Sequence, residues 1–176
     1  MLLIFPMGGT GRRFLEAGYT IPKPLLSLGE NHLLELAVES TKLLHGQYEY
    51  LASSKVIQSP LLSTLFAPPG HWHEVVDKTS GPLETILNFS TCLGRTDHAA
   101  LICDCDSFLD ATELATAIAD FERYHADGGV TVRQTTDLNC SFATVDAEGW
   151  VSETREKDPF SPWSTTGPYW WRSVQE

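Results

Sequence analysis

Apolar residues recur along this chain in two rhythms. Leu2-Leu3-Ile4-Phe5 and Ala99-Ala100-Leu101-Ile102-Cys103 are short continuous runs, with the length and branching of strands buried on both faces. Tyr48 to Ala52 and His73 to Asp77 read as further strands. Val130 to Gln134 and Ser141 to Val145 do so by their β-branched and alternating residues. Between these runs the spacing turns helical. Asn31 to His45 carries Leu33, Leu34, Leu36, Ala37 and Leu44, with Asn31 as N-cap and Gly46 as stop. Ile57 to Phe66 reads as a short helix interrupted by Pro60, followed by a loop at Ala67-Pro68-Pro69-Gly70. Gly81-Pro82-Leu83-Glu84 opens a helix, with Pro82 near its first turn and Gly94 beyond its last. Thr112 to Ala126 puts Leu114, Ile118 and Phe121 on one face; Asp110 caps it, Glu113 completes a capping box, and Gly128-Gly129 ends it. Asp146-Ala147-Glu148-Gly149 is a hairpin turn from which Trp150 to Thr154 runs back. The expected fold is one α/β domain over 1–176, a three-layer α/β/α sandwich with a mostly parallel mixed central sheet.

The first strand runs into Met7-Gly8-Gly9-Thr10-Gly11-Arg12-Arg13-Phe14, and Pro22-Lys23-Pro24 follows shortly after. Three glycines let the backbone turn sharply and bring bare N–H groups close to an anion. Arg12, Arg13 and Lys23 add positive charge, so the stretch is a phosphate cradle in outline. It is not a Walker loop, which needs Gly-Lys-Ser/Thr where Arg follows Gly11. It is not a complete dinucleotide loop either, because Phe14 stands where a third glycine belongs.

A second cluster ends the strand at 99–103. Asp104 and Asp106, two apart, point to one face and can share a hard cation such as magnesium through oxygen ligands. The plainer reading, a loop pair capping the next helix, has a competitor in Asp110. Glu156-Lys157 taken alone reads as a solvated ion pair, and Gly81 as part of a plain capped helix.

Charge narrows the partners. A net charge of -11 disfavours nucleic acid and anionic membrane surfaces, so a phosphate site has to be locally basic or bring a metal ion. No apolar run approaches the roughly 18 residues of a membrane span, which favours a cytoplasmic protein. Cys92, Cys103, Cys105 and Cys140 contain no C-x-x-C pair and lack zinc spacing; buried thiols in a reducing compartment are expected.

Gly9-Thr10-Gly11-Arg12-Arg13-Phe14, Gly18-Tyr19 and Pro22-Lys23-Pro24-Leu25, in that order, resemble the N-terminal signature of the sugar-nucleotide pyrophosphorylases. These enzymes move a nucleoside monophosphate from a nucleoside triphosphate to a sugar 1-phosphate and release pyrophosphate; the resemblance implies the same activity for this chain, for activated-sugar and surface polysaccharide synthesis. The resemblance implies a triphosphate held by Gly8, Gly9, Thr10, Gly11, Arg12 and Arg13, with Gly81 near the base. It implies Arg13, Lys23 and Asp106 as catalytic residues, and Mg2+ or Mn2+ on Asp106 with Asp104 as helper. Asp146-x-x-Gly149-x-Val151 followed by Glu156-Lys157, and Thr165-Thr166-Gly167-Pro168-Tyr169, resemble the sugar-binding motifs. They put Glu156, Lys157 and Gly167 on the sugar phosphate.

Two departures stand out. The family's Glu-Lys-Pro is here Glu156-Lys157-Asp158-Pro159, and the family's second metal-binding aspartate would lie beyond Glu176. Weak triphosphate binding and slow turnover are expected on that ground, with a homo-oligomer or partner able to supply the missing wall. Three rival readings remain: a phosphocholine or polyol-phosphate cytidylyltransferase, a glycosyltransferase using Asp104-Cys105-Asp106 as its metal motif, and a domain that binds nucleotide without efficient turnover.

Overall fold

The computed structural model describes residues 1–65, 69–75, 79, 81–93 and 98–173, with the side chains of 90–93 left undescribed. In chain order come β1 (Leu2–Met7), α1 (Arg12–Glu16), a 3-10 turn at Lys23–Leu25, and the hairpin β2 (Ser27–Leu28) and β3 (Asn31–His32). Next are α2 (Leu33–Glu39), β4 (Gln47–Ser53), α3 (Ser54–Ile57), a 3-10 turn at Pro60–Thr64, β5 (Gly70–Val75) and α4 (Pro82–Leu93). The chain continues through β6 (Ala100–Ile102), α5 (Ala111–Arg123), β7 (Gly128–Gln134), β8 (Ser141–Val145), β9 (Val151–Glu156) and β10 (Trp163–Trp171).

One mixed sheet runs in the order β5-β4-β1-β6-β10-β8-β9, with β7 also paired to β10. Its first four strands are parallel and the others antiparallel. β1 is buried along its whole length. Leu3, Phe5 and Met7 join a core with Leu34, Ala37 and Val38 of α2 and Leu114 and Ile118 of α5. Leu2 and Ile4 face the other way, into a core with Phe89 and Ile86 of α4. A strand apolar on both faces needs cover on both, and these helices supply the outer layers of the sandwich. No described helix is long and apolar enough to cross a membrane.

Several element ends differ from the sequence expectation, for local reasons. Asn31 pairs with Leu28 in the small hairpin, so His32 becomes the N-cap of α2, and the Glu35 carboxylate accepts from His32 N at 2.6 Å. That helix stops at Glu39 rather than near His45. Ser40 Oγ and Thr41 Oγ1 donate back to the carbonyls of Leu36 and Val38, at 3.3 and 2.7 Å, and the chain goes on in tighter turns. The helix expected over Ile57 to Phe66 does not form as one: α3 ends at Ile57 and a 3-10 turn follows at Pro60–Thr64. Gly70, expected in a loop, opens β5, and Gly128-Gly129, expected as a helix stop, opens β7. Asp110 does cap α5, its carboxylate accepting from Thr112 N at 2.8 Å and Glu113 N at 3.0 Å. Residues 66–68, Asp77 and Gly94, which figured in the expected loop, strand and helix stop, lie outside the described residues.

β10 is bent. Tyr169–Trp171 pairs with β6, while Trp163 and Ser164 pair with β8 on the same side. The register against β7 breaks between Thr165 and Tyr169, where Gly167 takes φ +111° ahead of Pro168. The bend turns this stretch toward the carboxyl end of β6, where the aspartates stand.

Candidate active site

From β1 the chain moves outward to β4 and then β5, crosses back through α4, and enters β6 on the other side of β1. The direction of winding thus reverses between β1 and β6. Loops leaving the carboxyl ends of parallel strands diverge at such a point and leave a crevice. The glycine loop leaves β1 there, Asp104 and Asp106 follow β6, and Ser54 and Lys55 follow β4.

The glycine loop is held against the start of α4. A Cβ on Gly8 would sit 2.8 Å from Thr85 Oγ1 and 3.0 Å from Thr79 Oγ1, so only glycine lets the backbone pass. The two threonine hydroxyls are 2.6 Å apart, and Thr85 Oγ1 donates to the Gly81 carbonyl at 3.1 Å. Both threonines are buried. They lock the first glycine loop to the second, and the stretches around Gly8–Gly11 and Gly81–Pro82 line one hollow of about 440 Å³.

Lys23 lines the same hollow. Pro24 and Leu25 are buried beneath its turn, which holds the lysine backbone in place. Its ammonium lies 2.6 Å from Asp106 Oδ2 and 5.8 Å from the centre of the Phe14 ring. β6 itself ends at Ile102, but alternation continues through the turn: Cys103 and Cys105 are buried, while Asp104 and Asp106 face the crevice. Burial, and then the Asp106 carboxylate, push the Asp104 carboxyl up to about 6, with Lys23 pulling the other way. Burial also pushes the Cys105 thiol up to about 12 and the Cys103 thiol upward, which leaves neither poised as a thiolate nucleophile.

A second, larger hollow of about 1050 Å³ opens on the other side of the aspartates, between α5 and the strands β7, β8 and β10. Asp104 and Asp106 line both hollows, and Gly167 lines the larger one. A Cβ on Gly167 would stand 2.9 Å from Asp104 Oδ2 and 2.7 Å from Ser107 Oγ. The acidic pair is therefore the partition between two spaces, with a cation on one side and a bare backbone on the other.

Gly8, Gly9, Thr10, Gly11, Lys23, Gly81, Asp104 and Asp106 are thus gathered around the crevice. Four other residues named from the sequence stand apart from it. Arg12 and Arg13 are exposed on α1 outside the lining of the smaller hollow, and Arg12 is tied to Glu16 at 2.6 Å. Glu156 lines a third hollow, beside Trp150 and Trp171, and Lys157 pairs with it at 2.9 Å with both side chains in solvent. Sequence reading missed Lys55, which lines the smaller hollow as a second cation, and the Thr79–Thr85 latch. Lys55 carries one legible signal, a cation two residues past the carboxyl end of a strand. The latch carries none, because it depends on how α4 packs against the loop.

Such a crevice can receive a polyanion over the glycine backbone and a second ligand across the aspartates. No protein-family model and no curated protein matches the sequence. Solved structures do match. The nucleoside-diphosphate-sugar pyrophosphorylase of Vibrio cholerae RC9 superposes with a TM-score of 0.76 at 24% identity, over 98% of this chain and 74% of that one. A UDP-glucose pyrophosphorylase complexed with UDP-glucose superposes with a TM-score of 0.77 at 17% identity, over 97% of this chain and 75% of its own. At these identities the likeness establishes the fold.

Proposed function

We propose that this chain transfers a nucleotidyl group from a nucleoside triphosphate to a sugar 1-phosphate, with release of pyrophosphate. One observation carries the reading: the Lys23–Asp106 pair, at 2.6 Å, stands where the two hollows meet, at the switch point of the sheet. The nucleotide would occupy the smaller hollow, its phosphates over Gly8–Gly11 and its base toward Gly81. The acceptor would enter the larger one past Gly167. Two solved proteins of the same fold carry sugar-nucleotide pyrophosphorylase names, which supports this choice over a glycosyltransferase.

The chemistry needs no activated side chain. An oxygen of the sugar phosphate, already anionic at neutral pH, forms the new bond to the α-phosphorus. The bond from that phosphorus to the bridging oxygen of the β-phosphate breaks, and its electron pair leaves with pyrophosphate. The protein has to hold two anions in line and neutralise the charge that builds between them. Lys23 would do this at the reacting phosphates, and Lys55, which lines the same hollow, would meet the departing ones. Arg13 would join them only by swinging in from α1.

Asp104 and Asp106 fit a hard divalent cation. They are two carboxylates facing one space, oxygen ligands only, with room kept where a Cβ on Gly167 would intrude. Magnesium or manganese held there would act as Lewis acid and template at the α-phosphate. With a divalent cation held by Asp106, the Lys23 ammonium would no longer be needed to balance that carboxylate and could turn to phosphate.

The test follows the label. With α-32P nucleoside triphosphate and a panel of sugar 1-phosphates, the label should appear in a nucleoside-diphosphate sugar and not in pyrophosphate. Label found only in free nucleoside monophosphate would show hydrolysis, and transfer to phosphocholine or a polyol phosphate alone would reassign the acceptor.

A further inference from the structure

Away from the crevice, further back along the parallel strands, two histidines and a glutamate converge at the edge of the sheet. Pairing of β4 with β5 sets Glu49 opposite His71, and His73 shares His71's face two residues on. Glu49 Oε2 is 2.6 Å from His73 Nε2, and Glu49 Oε1 is 3.1 Å from His71 Nδ1. One ligand atom from each of the three residues lies within 4.8 Å of the others. Gln47 Nε2 donates to Glu49 Oε1 at 2.5 Å and reaches His71 Nδ1 at 3.0 Å.

The carboxylate is the informative group. Glu49 is only 3% exposed, on a face otherwise packed with Leu51, Ile4 and Phe89. A buried charge is costly unless it is paired and hydrogen-bonded, and here two imidazoles and the Gln47 amide crowd around one carboxylate. A divalent ion bound by the carboxylate and both imidazoles would supply the countercharge. Imidazole nitrogens with one carboxylate suit zinc and its neighbours over magnesium, and two histidines with a glutamate is an established zinc ligand set with an open position. His73 is held by its ring, 4.2 Å from that of Phe89, while His71 is 64% exposed and leaves an entry path.

We propose that Glu49, His71 and His73 bind one zinc-class divalent transition ion, which ties the edge strand β5 to β4. The site is independent of the nucleotidyl-transfer reading: its nitrogen ligands separate it from the oxygen-only pair Asp104 and Asp106. The absence of cysteine spacing for zinc does not bear on it, because strand pairing brings these ligands together.

The experiment uses the full chain without an affinity tag, stripped with chelator and titrated with zinc chloride by calorimetry, with thermal melting alongside. One zinc per chain should survive desalting, as counted by elemental mass spectrometry, and zinc should raise Tm. His71→Ala, at an exposed ring whose loss leaves the core packed, should weaken zinc binding at least tenfold and remove the rise in Tm. Glu49→Gln should do the same; if it does not fold, His73→Gln takes its place. Magnesium chloride at the same concentration should neither raise Tm through this site nor displace zinc. No retained zinc and no shift in Tm would overturn the proposal, leaving a buried glutamate–histidine cluster. Equal zinc affinity in wild type and His71→Ala would overturn it too, placing the ion elsewhere. Since nucleotidyl transfer is not the readout, neither result touches the active-site reading.

Discussion

Gly167→Ala should cost stability and activity together. Gly167 sits at φ +111°, where an L-residue is strained by roughly 1–3 kcal/mol. At about 2–4 °C per kcal/mol for a chain of this size, Tm should fall by roughly 2–12 °C. The new Cβ would also lie 2.7 Å from Ser107 Oγ and 2.9 Å from Asp104 Oδ2, closer than real contacts allow. Both neighbours are side-chain ends, so they can move aside. Relief therefore comes by displacing the Asp104 carboxylate, and this part of the cost falls on the site rather than on folding. Misplacement approaching 1 Å near reacting groups is worth on the order of 10²-fold, so kcat/KM should drop roughly 10- to 100-fold. Thermal melting by circular dichroism reads the first effect, and pyrophosphate release read at a temperature below both melting points reads the second. Gly9→Ala is the comparison: beyond its chain neighbours no atom lies within 4 Å of its Cβ position, so its stability should stay within about 0.5 kcal/mol of wild type. A wild-type Tm for Gly167→Ala would refute the strain argument. A low Tm with unchanged kcat/KM would refute the placement of Asp104 beside the reacting groups.

Three further predictions concern the partition, a cap and the core. Asp106→Asn should weaken magnesium-dependent nucleotide binding in calorimetry more than Asp104→Asn; the reverse order would move the main ligand to Asp104. Two backbone N–H groups, those of Glu113 and then Thr112, hold the Asp110 carboxyl below the usual carboxylate range. Its stabilisation is therefore present above the unfolded-state value and is lost as pH falls through the lower folded one. Asp110→Asn, an equally good cap, should keep the neutral-pH Tm and flatten the acid limb of Tm against pH; an unchanged acid limb would contradict this. Phe5→Ala, at a fully buried ring between Tyr48 and Tyr50, should cost about 3–5 kcal/mol in urea unfolding, and a loss below 1 kcal/mol would mean that the core collapses around the gap.

The parts of this molecule that local pattern encodes could be read from the sequence. The run 2–5 became a strand buried on both faces, Asp110 became the cap of α5, and Ser141–Val145 became β8. Lys23 and Asp106 were singled out separately, one framed by prolines and the other past the end of a strand. Only the fold shows them 2.6 Å apart. What sequence reading missed depends on contacts between distant segments. Glu49 looks like a surface residue until β4 is placed inside the sheet, with His71 opposite. Thr79 and Thr85 meet because α4 packs against the glycine loop, a matter of tertiary packing. The helix from Asn31 is shorter than apolar spacing suggests because side-chain hydroxyls, at Ser40 and Thr41, compete for the last helical carbonyls, a competition that spacing does not register.

Nucleotidyl transfer at Lys23 is the central claim, and one comparison tests it most directly. Pyrophosphate release should be measured for wild type and Lys23→Ala across a panel of nucleoside triphosphates and sugar 1-phosphates, with magnesium present and folding checked by melting. Wild type should release pyrophosphate with one triphosphate and sugar 1-phosphate pair only when both are supplied. Lys23→Ala, folded and melting near wild type, should lose roughly 10²-fold or more, as for removal of one charge-stabilising group. No pyrophosphate from any pair, or an undiminished rate in folded Lys23→Ala, would contradict the account.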